Sequence, residues 1–100
     1  MNVPAIGRPR ERTHARASIA PHVQDELTEL WRRYTSGAVR EMYSPGRPGA
    51  VRLLEADSLG AAADTPSGLR LVAEGIIDFE LIELHAFAAF GMLFAADDAR

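Results

Sequence analysis

The chain has 100 residues, 47% of them hydrophobic and 25% charged, with a formal net charge of −3 and no cysteine. One domain follows, because a second core needs roughly another hundred residues, and the composition is too apolar for disorder. No apolar run approaches the ~18 residues of a membrane span, and without cysteine there is no disulfide framework, thiolate nucleophile or zinc-finger site.

Residues 3–6 read as a short strand, which Pro4 confines to an edge or a bulge because it has no N–H to donate. Residues 7–20 read as a loop opened by the turn signal Gly7-Arg8-Pro9-Arg10. All the basic residues of the chain are arginines, and four of them, Arg8, Arg10, Arg12 and Arg16, crowd this loop. The absence of lysine excludes Schiff-base chemistry. A net acidic chain with no aromatic residue in its basic segment argues against a nucleic-acid partner, so the cluster reads as a solvated loop. Because Pro4 interrupts the first apolar residues and the arginines follow them, no secretory signal is read, and a cytoplasmic location is expected.

A helix is expected from Pro21, a favourable first helical residue, to Gly37, placed where a left-handed cap ends it. Val23, Leu27, Leu30 and Tyr34 recur at spacings of four, three and four, which aligns them on one stripe with Trp31 at its flank. His22, Glu26, Glu29 and Arg33 form the opposite flank, a pattern more typical of a solvated face than of a ligand site. After Gly37 the period changes to that of a strand at Val39–Tyr43. The turn cluster Ser44-Pro45-Gly46-Arg47-Pro48-Gly49 then leads to a second strand over residues 50–56, making a hairpin. Asp57 and Ser58 are caps for a second helix near Leu59, which Gly60 weakens and Pro66 breaks. Residues 76–84 read as a last strand in which Ile77, Phe79 and Leu81 alternate with Asp78 and Glu80. The apolar tail, residues 85–100, spaces Phe87, Phe90 and Phe94 as one turn of amphipathic helix.

The order β-α-β-β-α-β is the split βαβ plan of an α+β, ferredoxin-like fold. Such a sheet covers one face with helices and leaves the other for a second subunit. The run Glu26…Leu30-Trp31…Tyr34…Gly37-Ala38-Val39-Arg40-Glu41-Met42-Tyr43, then Pro48-Gly49-Ala50-Val51…Glu55-Ala56…Ser58, resembles the muconolactone isomerase-like group of dimeric α/β-barrel proteins. Leu69-Arg70-Leu71-Val72…Gly75-Ile76-Ile77-Asp78-Phe79-Glu80…Leu84…Phe87 continues the likeness in the same order, over about residues 20–94. Leu69-Arg70-Leu71 stands where such proteins usually have Leu-Pro-Leu, and Pro66 where a helical Leu is expected.

The resemblance implies a homodimer or higher homo-oligomer with a pocket between sheet and helices. It also implies proton-transfer isomerisation of a small unsaturated lactone or keto acid, with no cofactor and no metal. Abstracting a proton beside a carbonyl needs a base and a cation that holds the developing enolate oxygen. Matched to the family pattern, Arg40 is the clamp, Glu55 the base and Tyr43 a hydrogen-bond donor, with an Arg40–Glu55 cross-strand ion pair as the purely structural alternative. His22 and Glu26, one helical turn apart, are candidates for the pocket mouth; two ligands do not make a metal site. The competing functional class is a non-catalytic homo-oligomeric module that binds a small ligand or only assembles.

Overall fold

In the computed structural model, which describes residues 1–94, four antiparallel strands form one sheet. Strand β1 (Asn2–Pro9), β2 (Val39–Tyr43), β3 (Ala50–Glu55) and β4 (Ile77–Leu81) lie in the order β2-β3-β1-β4. This is the ferredoxin-like α+β arrangement expected from the element order. Tyr43 and Ala50 bracket the Pro- and Gly-rich loop that joins the β2–β3 hairpin.

β1 departs from expectation, being central and eight residues long instead of a short edge piece. Pro4 is tolerated there because the β1–β4 ladder runs only from Ala5 to Pro9. Beyond it the Pro4 carbonyl accepts from Ile82 N at 2.9 Å, so the missing N–H removes no registered pair on that side. On β2 the register slips between Val39 and Glu41, leaving Arg40 as the extra residue of a bulge.

The expected loop over residues 7–20 is also corrected: helix α1 (Ala15–Ile19) and a 3-10 turn (Ala20–His22) precede α2 (Val23–Ser36). Neither His14 nor His22 caps with its side chain, so no strong start signal marks these helices in the sequence. Gly37 ends α2 at φ +87°, where its N–H bonds the Tyr34 carbonyl, as the sequence implies. The second helix is divided into α3 (Leu59–Ala62), α4 (Asp64–Ser67) and α5 (Arg70–Ala73). Ser58 caps α3 by accepting from Ala61 N at 3.0 Å, and Pro66 lies buried within α4. The helix is thus interrupted on both sides of Pro66, at Ala63 and at Gly68–Leu69, which agrees with the expected break near it, although Pro66 itself is helical in the first turn of α4.

Val3, Ala5, Val39, Leu54 and Ala62 form the core, with Leu30, Leu59, Phe79 and Leu81 packed against it. Helices thus cover the sheet face carrying Val3, Ala5 and Leu54. Pro4, Ile6, Val51 and Leu53, by strand alternation, occupy the other face and are half-buried. α2 is rotated from what its apolar stripe suggests. Glu26 is its buried residue, whereas Val23, Leu27, Trp31 and Tyr34 are 39–64% exposed.

The tail forms a 3-10 segment, Ala88–Leu93, instead of an α-helical turn. Phe87 and Phe90 meet edge to face with ring centroids 5.1 Å apart, but both are well exposed. The remainder of the expected 85–100 tail, from residue 95 onward, lies outside the described residues.

Candidate functional site

Along β3, Ala50, Arg52 and Leu54 share the buried face, so a guanidinium projects among aliphatic neighbours. Glu26 of α2 approaches it from the helical layer, with Arg52 Nη2 3.6 Å from Glu26 Oε2. The other carboxylate oxygen, Oε1, accepts from Leu71 N at 3.1 Å, close to the start of α5. Phe79 on β4 supplies an aromatic face 5.2 Å from Arg52 Cζ. Strand β3, helix α2, helix α5 and strand β4 therefore meet at one buried ion pair.

Burial pushes the Arg52 guanidinium below its ordinary pKa, and the Glu26 carboxylate opposes that shift. Arg52 Nη1 is enclosed and has no hydrogen-bond partner. A buried donor left unpaired costs about 1–3 kcal/mol, more when charged, so this nitrogen is the unsettled point of the interior. A guanidinium with one nitrogen beside a carboxylate and one unpaired can donate to an anionic or carbonyl oxygen only where the packing around Nη1 opens to admit it.

The five residues singled out in the sequence are dispersed. Glu26 alone among them touches Arg52. His22 lies half-buried at the end of the 3-10 turn, one helical turn before Glu26. Arg40 is exposed in the β2 bulge, and the Arg40–Glu55 pair is not formed. Glu55 Oε1 instead accepts from the Met1 amine at 3.1 Å, and the same amine donates to the Ala56 carbonyl at 2.7 Å. Tyr43 donates its hydroxyl to Glu41 Oε1 at 2.6 Å, and that bond raises its phenol pKa. By register, Tyr43 and Glu55 lie on the sheet face away from the helices, opposite to Arg52.

Sequence reading missed Arg52. The signal was present, since Arg52 stands two residues from both Ala50 and Leu54 and so shares their parity. Among the described residues, no three His, Cys, Asp or Glu side chains gather to hold a metal ion, and no helix is long and apolar enough to cross a membrane.

The strand order, the helices on one face and the buried pair between the layers define a ferredoxin-like α+β protein. No protein-family model matches the chain, and no curated protein matches it either. Its structure is similar to the crystal structure of muconolactone isomerase, with a TM-score of 0.64 and 21% sequence identity. The likeness covers 86% of this chain and 90% of that one. At that identity the similarity establishes the fold.

Proposed function

We propose that the protein works as a homo-oligomer of the muconolactone isomerase-like, dimeric α/β-barrel kind and holds a small organic molecule between sheet and helices. The carrying observation is the tail. Leu84, Phe87, Phe90, Met92, Leu93 and Phe94 are 53–79% exposed and stand away from their own subunit. The radius of gyration, 17.5 Å, exceeds the ~13 Å of a compact domain of this length. Burying a Phe is worth on the order of 1.5–3 kcal/mol, so three of them supply a strong drive to dock. A second copy offers a fitting surface, the exposed Val23, Leu27, Trp31 and Tyr34 of α2. Sedimentation of the full chain is expected to show an oligomer, and truncation after Leu84 a monomer or an aggregate. A compact full-length monomer at micromolar concentration, or a truncated oligomer of unchanged size, overturns this reading.

The buried Glu26–Arg52 pair favours a catalytic version of the same reading. In it, the packing between sheet and helices opens to admit substrate, Glu26 carries a proton between two carbons of an unsaturated lactone or keto acid, and Arg52 Nη1 holds the enolate oxygen. Tyr43 and Glu55, on the opposite sheet face, reach a substrate only where a second copy closes over that face; Arg40 would act from its rim and His22 from the mouth of the helical layer. Deuterium exchange from heavy water into small unsaturated lactones tests it. Exchange by the wild type that is lost in Glu26→Gln, with oligomer size retained, is the expected result. No exchange by the wild type retires the catalytic version and leaves assembly standing.

A further inference from the structure

At the end of β1, away from the Glu26–Arg52 pair, lies an open cleft of about 770 Å³, within the size range of small-molecule sites. Three arginines from three separate segments line it: Arg8 from β1, Arg12 from the connection to α1, and Arg47 from the β2–β3 loop. No Asp or Glu lines the cleft. Elsewhere among the described residues Arg10, Arg32, Arg33, Arg52 and Arg70 each have a carboxylate partner, whereas Arg16 and Arg40 stand singly and share no cleft with another arginine. Arg8 reaches out to Glu80 at 3.0 Å, but Arg12 and Arg47 have no ion-pair partner among the described residues.

The loop bearing Arg47 is seated against the strand bearing Arg8. Gly49 adopts φ +140°, and a Cβ there would lie 2.6 Å from the Gly7 carbonyl oxygen. Pro45 and Pro48 line the same cleft, and Pro48, directly after Arg47, restricts the backbone at the root of that arginine. Guanidiniums held on rigid backbone lose less entropy when they bind, and their planar forks suit carboxylate and phosphate oxygens.

The geometry points to a binding site in this cleft for a small molecule carrying two or three anionic groups, phosphate or carboxylate. A nucleic acid fits less well. Arg10 is engaged with Asp78 and Arg8 with Glu80, the chain is acidic overall, and no aromatic side chain lines the cleft for base stacking. The inference does not depend on assembly or on catalysis.

Calorimetric titration of the full-length protein at low salt tests it, with pyrophosphate and tricarballylate as separate probes. One-site saturable binding of at least one probe is expected, weakening as salt is added. The Arg12→Ala/Arg47→Ala double variant is expected to bind at least tenfold more weakly. Arg70→Ala, outside the cleft, is expected to keep wild-type affinity. Tighter binding of pyrophosphate assigns a phosphoryl ligand and tighter binding of tricarballylate a polycarboxylate; either supports the site. A melting curve confirms that the double variant is folded, and an amide-resolved spectrum of the wild type should shift at Gly7 and Gly49. Saturation by neither probe overturns the proposal. So does equal affinity in the double variant, an equal loss in Arg70→Ala, or binding of a single-stranded oligonucleotide without binding of either small anion.

Discussion

Removing Glu26 strands a guanidinium in the interior. The Arg52 side chain is 10% exposed and that of Glu26 7%, so solvent does little to screen the pair. Glu26→Ala is expected to destabilise the protein by about 3–5 kcal/mol, read from the denaturant midpoint. The double replacement Glu26→Leu/Arg52→Met is expected to recover most or all of that loss, because hydrophobic pairs of similar volume often match buried ion pairs. Recovery of stability with loss of ligand binding or proton exchange would separate a functional pair from a structural one. Tyr43 gives a prediction on the other face. Its phenol is held above its ordinary pKa by Glu41, first through the hydrogen bond and then through the carboxylate charge. The stabilisation is therefore complete below the pKa of an unfolded tyrosine and is lost as pH rises through the folded value. In a Tyr34→Phe background, Glu41→Gln should lower the midpoint of phenolate absorbance. An unchanged midpoint would show that the contact does not form in solution.

At the level of elements, α3 is limited by its composition and not by its cap. Gly60 lies in this short helix, and the nearest atom to a Cβ added there is Ser58 Oγ at 3.9 Å, an ordinary contact. Gly60→Ala is expected to add about 0.5–1 kcal/mol, or about 2–8 °C in Tm for a domain this size. Ser58→Ala removes the acceptor for Ala61 N and should cost about 1 kcal/mol. These features were readable in the sequence because they are local: Ser58 before a helix, Gly37 after one, a Pro-Gly cluster between two strands. The orientation of α2 was not. Its apolar stripe predicts that Val23, Leu27, Leu30 and Tyr34 face the sheet, yet of these only Leu30 packs against the core, and the helix buries Glu26 while Val23, Leu27 and Tyr34 face solvent. Only the tertiary partner, Arg52 on β3, explains the choice, and a partner 26 residues away leaves no periodic signal. The site was correspondingly half legible: Glu26 was singled out, and Arg52 was not. Arg40 and Glu55 were matched by pattern to adjacent strands, but the bulge and the Met1 amine set them to different contacts.

Taken whole, the chain presents two apolar surfaces that nothing else among the described residues covers, the outer stripe of α2 and the Phe-rich tail. Such patches mark interaction sites on soluble proteins. Trp31 is 64% exposed in the single subunit and is the chain's sole tryptophan, so it reports on their meeting. Its emission is expected to lie further to the blue in the full-length protein than in the protein truncated after Leu84. Identical spectra would place the tail elsewhere than on α2. The bulge at Arg40 also constrains where such an assembly forms. β2 is an edge strand, and an edge strand offers its unpaired backbone as a template for another chain. Here the ladder is out of step at the bulge, and Arg40 and Glu41 set charges beside it. Lateral strand-on-strand addition, the route to fibrils, is disfavoured at that edge. In the proposed homo-oligomer, contact between copies then falls to the faces and the tail instead of to the β2 edge.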